Sequence, residues 1–243
     1  MSDQMEKSLS IAWKDIRVYY LKAPNFTYGL LMPVALYLAF SVAGNLNPNT
    51  LISGLVSLVV LFGATSIEAV AVVSERTSGT FERLLVAPVS LMWILFGKAL
   101  AGAALGPVTA VIALIPVLLI SGTSVASPAL VSIAIAVSSF AFACLGILAS
   151  AFAKWIPEAQ MYSNFLRFPM AFLGGAFIPV ESMPPILQTI SRLLPLTYSI
   201  EALNQGIAFA SPTSIYAVDM VVLIVFSTFC LFFSGRVLIK KIG

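Results

Sequence analysis

The chain has few charged residues. Only 9% of its 243 residues are Asp, Glu, Lys or Arg, 60% are hydrophobic, and the mean hydropathy is +1.02. No charged residue occurs between Lys22 and Glu68 or between Lys98 and Lys154. Soluble domains contain about a quarter charged residues, and this chain has too few polar side chains to cover a soluble core. The composition therefore predicts an integral membrane protein.

Histidine is absent and only two cysteines occur. The lack of histidine removes histidine metal sites and histidine general bases. Cys144 and Cys230 fall inside apolar runs, which favours buried packing residues over a disulfide or a metal pair. A G-x-x-x-x-G-K-[ST] phosphate loop is also missing, since Gly97-Lys98 lacks the flanking residues. We expect no catalytic residue, no metal site, no cofactor bound by this chain and no enzymatic activity.

Long apolar runs are what the chain does contain. They are unbroken, whereas strands of a membrane barrel alternate apolar and polar residues, so we expect an all-α bundle. A span needs about 20 apolar residues. Six stretches qualify, giving predicted transmembrane helices at 26–43, 51–73, 95–120, 130–152, 157–178 and 215–234.

Lys and Arg residues are distributed unevenly between the two ends of these spans. Eleven, including Lys14 and Lys98, fall on one side, and Arg192 alone falls on the other, with Arg167 inside a span. The positive-inside rule then places both termini in the cytoplasm. We expect a multi-pass protein of the cell membrane that contacts lipid and no nucleic acid. Residues 1–24 are amphipathic and predict a helix lying in the inner interface.

The loop after the second span concentrates charge: Ser74 to Arg83 contains Glu75, Arg76, Glu82 and Arg83. Gly79 interrupts the helix, Thr80 can cap a new one, and Pro88 ends it. This short helix, 80–87, is too short to be stable alone in water. Its apolar strip needs a cover from the membrane, neighbouring helices or another protein, so we interpret it as a docking element. The strip is formed by Phe81, Leu84 and Leu85.

Residues 179–214, between the fifth and sixth spans, are too apolar for a disordered loop. Helical spacing predicts two short helices within 183–206 that dip into the outer leaflet, with Thr197 capping the second and Gly206 ending it. Backbone at that depth must be covered by protein or face a wet cavity. An outer gate and a structural lid are equally good interpretations. The candidate gate residues are Pro179, Pro184, Pro195 and Tyr198.

Three charged residues fall inside predicted spans: Glu68, Arg167 and Asp219. Such charges are costly and are functional candidates by default. Glu68 and Arg167 are a candidate pair, within one chain or between subunits. Snorkelling towards the headgroups is the alternative, and we favour it for Asp219.

Two stretches resemble the ABC-2 class of ATP-binding-cassette permeases. One is SERTSGTFERLLVAPVS, with Glu75, Arg76, Thr80, Glu82 and Arg83 in the matching positions, and the other is FLGGAFIPVESMPPILQTISRLLPLTYSIEALNQG at 172–206. The resemblance implies that helix 80–87 is a coupling helix seated on an ATPase subunit and that 1–24 is a connecting helix. It also implies two permease chains, identical or different, and two ATPase chains that carry ATP and Mg. Such systems generally export.

Two other function classes stay open. One is a secondary transporter driven by an ion gradient, although no internal repeat is evident. The other is a scaffold or intramembrane enzyme, which no H-E-x-x-H or paired Asp motif supports. The apolar spans favour a lipophilic or amphiphilic substrate over a strongly charged one.

Overall fold

The protein is described by a computed structural model over residues 2–17, 39 and 47–242, and this part of the chain is all-helical. Nine α-helices and one short 3-10 helix, Val180–Ser182, follow one another along the described chain. The α-helices are α1 Ser2–Asp15, α2 Pro48–Thr77, α3 Thr80–Val86, α4 Leu91–Ser121, α5 Pro128–Phe152, α6 Ile156–Leu173, α7 Pro185–Ser191, α8 Pro195–Ala208 and α9 Ser214–Ile242.

Four of these helices are long and apolar enough to cross a membrane: α2, α4, α5 and, over Ser214–Lys240, α9. They contain the predicted spans 51–73, 95–120, 130–152 and 215–234. The predicted span 26–43 lies outside the described residues apart from position 39. The protein is therefore a multi-pass helical membrane protein, and the count of six spans stays a prediction.

The fifth predicted span, 157–178, is shorter than expected. Helix α6 ends at Leu173, five residues earlier than predicted, and has 18 residues. The backbone leaves the helix at Gly174, and Gly175 takes a φ of 93°, a left-handed conformation that L side chains rarely adopt. At about 1.5 Å per residue, α6 is about 27 Å long. This is slightly less than the thickness of the hydrocarbon core, about 30 Å.

Helix α5 is the centre of the bundle, because it packs against α2, α4, α6, α8 and α9. Small residues let the helices approach closely. A Cβ on Gly146 would lie 2.5 Å from the carbonyl oxygen of Thr65 on α2. Gly102 and Gly106 of α4 face Ala143 and Ser139 of α5 in the same way. The G-x-x-x-G spacing in α4 therefore serves packing within the chain.

Helix α1 has two distinct faces. One face packs on α4, where Ser8 Oγ donates a hydrogen bond to the Trp93 carbonyl oxygen at 2.7 Å. A Cβ on Gly97 would lie 2.5 Å from the Ser8 carbonyl oxygen, so the two helices are in backbone contact. The other face exposes an apolar row four residues apart, as an interfacial helix would: Met5, Leu9 and Trp13. Positions 18–24 of the predicted helix lie outside the described residues.

Three predicted helix ends are wrong. Gly79, not Thr80, is the N-cap of α3, and Thr80 is its first helical residue. Helix α8 begins at Pro195, so Thr197 lies within the first turn, where its hydroxyl donates to the Ser191 carbonyl oxygen at 2.7 Å. Gly206 lies inside α8 rather than at its end, because α5 approaches there: a Cβ would lie 2.8 Å from Val131 Cγ2.

Candidate functional site

The loop between α2 and α4 folds back tightly on the end of α2. Gly79 has a φ of 72°, which reverses the chain direction at a position that favours glycine. The hydroxyls of Ser78 and Thr80 both donate to the carbonyl oxygen of Glu75, each at 3.2 Å. These bonds satisfy one of the carbonyls that the end of α2 would leave without a partner. The short helix α3 is therefore fixed to α2 by its first residue.

The two faces of α3 have different roles. Phe81 is only 2% exposed and packs into the main core of the bundle, with Leu84 partly buried against the same core. Glu82 and Arg83 are exposed, and Val86 is 88% exposed. The Leu85 side chain lies outside the described part of the structure. The apolar strip predicted from the sequence is thus covered at Phe81 by the chain itself, and the exposed surface combines two charges with one aliphatic side chain.

Glu75 belongs to a network of four charges from three helices, and three of the four charged residues are buried. Its carboxylate binds Lys98 of α4 and Lys14 of α1. Lys98 Nζ also lies 2.9 Å from Asp15 Oδ2, and Lys14 Nζ lies 2.9 Å from Asp15 Oδ1. Lys98 and Asp15 have no exposed surface. Two cations and two anions balance, so the network is neutral and joins α1, α2 and α4 at the base of α3.

The four charges stabilise one another, because each lysine contacts both carboxylates. Burying any one of these charges alone would be very costly, and buried ions are tolerated only when paired with good geometry. At Lys14, burial lowers the pKa, but the hydrogen bond to Glu75 and the charge of Asp15 outweigh it, and the pKa is raised overall. The ammonium form of Lys14 is therefore the stable one in the folded protein.

Arg76 links the same loop to the central helix. Its Nη1 donates to the carbonyl oxygens of Ser150, at 3.3 Å, and Ala153, at 3.1 Å, where α5 ends. A cation at a helix C-terminus is favoured by the helix dipole and completes carbonyls that lack an intrahelical partner. Of the eight residues predicted to couple to an ATPase, Glu75 and Arg76 are thus committed to contacts inside the chain.

Arg167, on α6, is 1% exposed and held by five hydrogen bonds to neutral oxygens. That number matches the N–H groups of a guanidinium. Two of the bonds, to Phe62 and Ser66, join α6 to α2, and the guanidinium also stacks over the Phe62 ring at 4.9 Å. The acceptors are Ser163 O at 3.1 Å, Phe62 O at 3.0 Å, Asn164 Oδ1 at 2.7 Å, Gln160 Oε1 at 3.3 Å and the Ser66 hydroxyl.

Glu68 is fully buried on α2 but faces other helices than Arg167 does. Its side chain lies against Gly102 of α4 and Gly146 of α5, where only a residue without a side chain leaves room for it. Arg167 approaches α2 from α6, at Phe62 and Ser66. The candidate pair between Glu68 and Arg167 stays a prediction.

The candidate gate residues form the turns at the opposite end of the bundle. Pro179 precedes the 3-10 helix, Pro184 precedes α7, and Pro195 is the first residue of α8. The Tyr198 hydroxyl donates to the Arg192 carbonyl oxygen at 2.6 Å and fixes the corner between α7 and α8. This end is joined to α2 through the Ser57 and Ser199 hydroxyls, 3.2 Å apart. Whether the segment opens as a gate stays a prediction.

Sequence reasoning missed the roles of Lys98 and Asp15. Lys98 contributed only to the count of positive charges, and Asp15 was not distinguished from the polar face of the first helix. A signal was present, because Asp15 follows Ser8, Ile11 and Ala12 at helical spacing and so shares their buried face. A carboxylate on a buried face needs a cation, and Lys98 is the charged residue of α4.

The architecture defines a multi-pass helical membrane protein whose helices are connected by short structured segments. Residues 9–208 match the ABC-2 type transporter family. The chain therefore belongs to that family, which is a family of transport permeases.

Among its relatives, the inner membrane transport permease YadH of Escherichia coli (strain K12) is 27% identical over 156 residues, 64% of this chain and 61% of YadH. Nodulation protein J of Neorhizobium galegae is 32% identical over 137 residues, 53% of this chain and 49% of that protein. Inner membrane transport permease YhhJ of E. coli is 31% identical over 144 residues, 57% of this chain and 37% of YhhJ. The alignments thus span about three-fifths of the length of YadH and less of the others.

Proposed function

We propose that the chain is the membrane-spanning permease subunit of an ATP-driven exporter. In this proposal ATP and Mg bind to a separate ATPase chain, and both termini and α3 face the cytoplasm. Membership of the ABC-2 type transporter family supports the transport role. The Lys and Arg distribution supports the orientation.

The observation that carries the proposal is the construction of α3. A docking element must be rigid on the side of its own protein and accessible on the other. Phe81 anchors α3 in the core, and the Thr80 hydroxyl ties it to the end of α2. Glu82, Arg83 and Val86 remain exposed. An exposed aliphatic residue flanked by charges of opposite sign suits a protein groove that offers an apolar contact and charges complementary to both.

A second permease chain, identical or related, would complete the transporter. Helix α6 exposes an apolar row at helical spacing that is rich in aromatic residues, and α4 exposes an aliphatic row. Either row fits lipid or the facing permease. The residues are Met161, Phe165, Phe168 and Phe172 on α6 and Val108, Val111, Ile115 and Leu119 on α4. We propose a lipophilic or amphiphilic substrate that moves between such apolar faces, with the α7–α8 segment as the outer gate.

The test is affinity purification of the tagged protein from its native membrane, followed by mass spectrometry. The variant is Glu82→Arg, Arg83→Glu, which exchanges the exposed charges and leaves buried Phe81 in place. The control is Lys154→Glu, an exposed reversal in the α5–α6 connection. We expect an ATPase chain to accompany the parent and the control but not the variant. Absence of an ATPase from all three preparations would contradict the proposal and favour ion-coupled transport, for which Glu68 and Asp219 are candidate carboxylates.

A further inference from the structure

An open cavity of about 500 Å³ lies between α8 and the first turns of α9, at the end of the bundle opposite α3. Its volume is in the range of small-molecule sites, about 300–1,000 Å³. The lining is acidic: three carboxylates face one cation, with amide and aliphatic side chains between them. The charged residues are Glu181, Glu201, Asp219 and Arg192.

The deepest of these carboxylates has no partner for one of its oxygens. Asp219 is 1% exposed, and its Oδ2 is buried without a hydrogen bond. The cation of the cavity already pairs with another of its carboxylates, since Arg192 Nη1 lies 3.3 Å from Glu201 Oε1. A buried oxygen without a partner is destabilising, so the cavity holds an acidic group whose position suits a positively charged ligand.

The surroundings of Asp219 distinguish between kinds of cation. Divalent metal ions need about six or more oxygens close together, and the described residues contain no group of three His, Cys, Asp or Glu side chains able to hold a metal. The cavity instead offers the Tyr198 ring and the aliphatic side chains of Ile215 and Val218. Aromatic and aliphatic walls with a single buried anion suit a large cation of low charge density.

We propose that this cavity binds an organic cation with an apolar body, with Asp219 as its counter-ion. The apolar body packs against Ile215 and Val218, and the Tyr198 ring contributes a cation–π contact. This site lies outside the α3 surface on which the transport proposal rests. Its occupancy is a property of the permease chain alone and needs neither ATP nor a partner.

The test measures equilibrium binding of radiolabelled tetraphenylphosphonium to the purified full chain in detergent. Tetraphenylborate, which has the same shape and the opposite charge, is the matched probe. We expect saturable binding of the cation and none of the anion. Loss of a charge-assisted contact typically corresponds to about a tenfold loss of affinity, and we expect that change for Asp219→Asn.

Two further variants keep the proposal testable if Asp219→Asn fails to fold. Glu201→Gln should also weaken binding, and Arg192→Gln should strengthen it, because Arg192 is the one cation among the described residues that line the cavity. Glu6→Gln, an exposed carboxylate on α1, is the control and should bind as the parent does. Equal binding of both probes, displacement of the cation by micromolar Mg²⁺, or unchanged affinity in both Glu201→Gln and Arg192→Gln would overturn the proposal.

Discussion

Substitution of Lys98 by Met should destabilise the protein more than any other single change in the α1–α2–α4 network. Lys98 has no exposed surface and binds both Asp15 and Glu75, which are themselves buried. Removing one partner of a buried ion pair typically costs about 3–5 kcal/mol, because an uncompensated charge remains. Lys14 still binds both carboxylates, so we expect a loss near the lower bound, about 3 kcal/mol.

The measurement is the free energy of reversible unfolding in mixed micelles of dodecyl maltoside and SDS. Lys14→Met is the matched comparison: it leaves the same excess negative charge, but its side chain is 42% exposed, so water can replace the ammonium, and we expect a loss of about 1 kcal/mol or less. The double variant Lys98→Met, Asp15→Asn should recover part of the loss, since it also removes one of the stranded charges. The reasoning is refuted if Lys98→Met costs less than about 1 kcal/mol, or if the double variant is no more stable than Lys98→Met.

Three further predictions concern other regions. Gly79→Ala should cost about 1 kcal/mol in the same unfolding assay, because φ at this position is 72°. Gly63 lies within a helix, and a Cβ there would make only ordinary contacts at 3.6 Å, so Gly63→Ala should be neutral or stabilising. Equal losses in the two variants would contradict the backbone argument. Arg167→Lys should cost about 2–3 kcal/mol, because an ammonium has three N–H donors and cannot supply all five bonds of the guanidinium, two of which cross from α6 to α2. Full stability of this variant would show that these bonds contribute little. Burial raises the pKa of Glu201, Arg192 lowers it and Glu181 raises it, with a net rise above 4.5. The contribution of Glu201 to the free energy of unfolding is therefore complete below pH 4.5 and is lost as the pH rises through the raised pKa. Glu201→Gln should remove this part of the pH dependence of stability. An unchanged pH profile in that variant would contradict the prediction.

Helical class and membrane insertion could be predicted from the sequence because they depend on composition and run length. The runs at 51–73, 95–120, 130–152 and 215–234 lie within helices of the structure. The end of α6 could not be placed the same way, since the apolar run continues through Phe177 and Ile178. Only the backbone conformation at Gly174 and Gly175 ends the helix there.

The candidate site was predictable only in its location. Charge concentration marked the α2–α4 loop, but the direction of each side chain depends on packing between distant segments. Glu75 and Lys98 are more than twenty residues apart, and Asp15 is farther still, so no local pattern links them. Phe81 shows the same limit: its helical spacing indicates an apolar strip, and only the fold shows that the strip faces inward.

The network at the base of α3 connects this short helix to α1, α2 and α4. The Thr80 hydroxyl holds the Glu75 backbone, and the Glu75 side chain holds both lysines. A displacement of α3 that keeps the Thr80 hydrogen bond either separates buried charges or carries α1 and α4 along with α2. Separating the buried charges is energetically costly, so if α3 is the docking element proposed above, we expect α1, α2 and α4 to respond together when a partner displaces it.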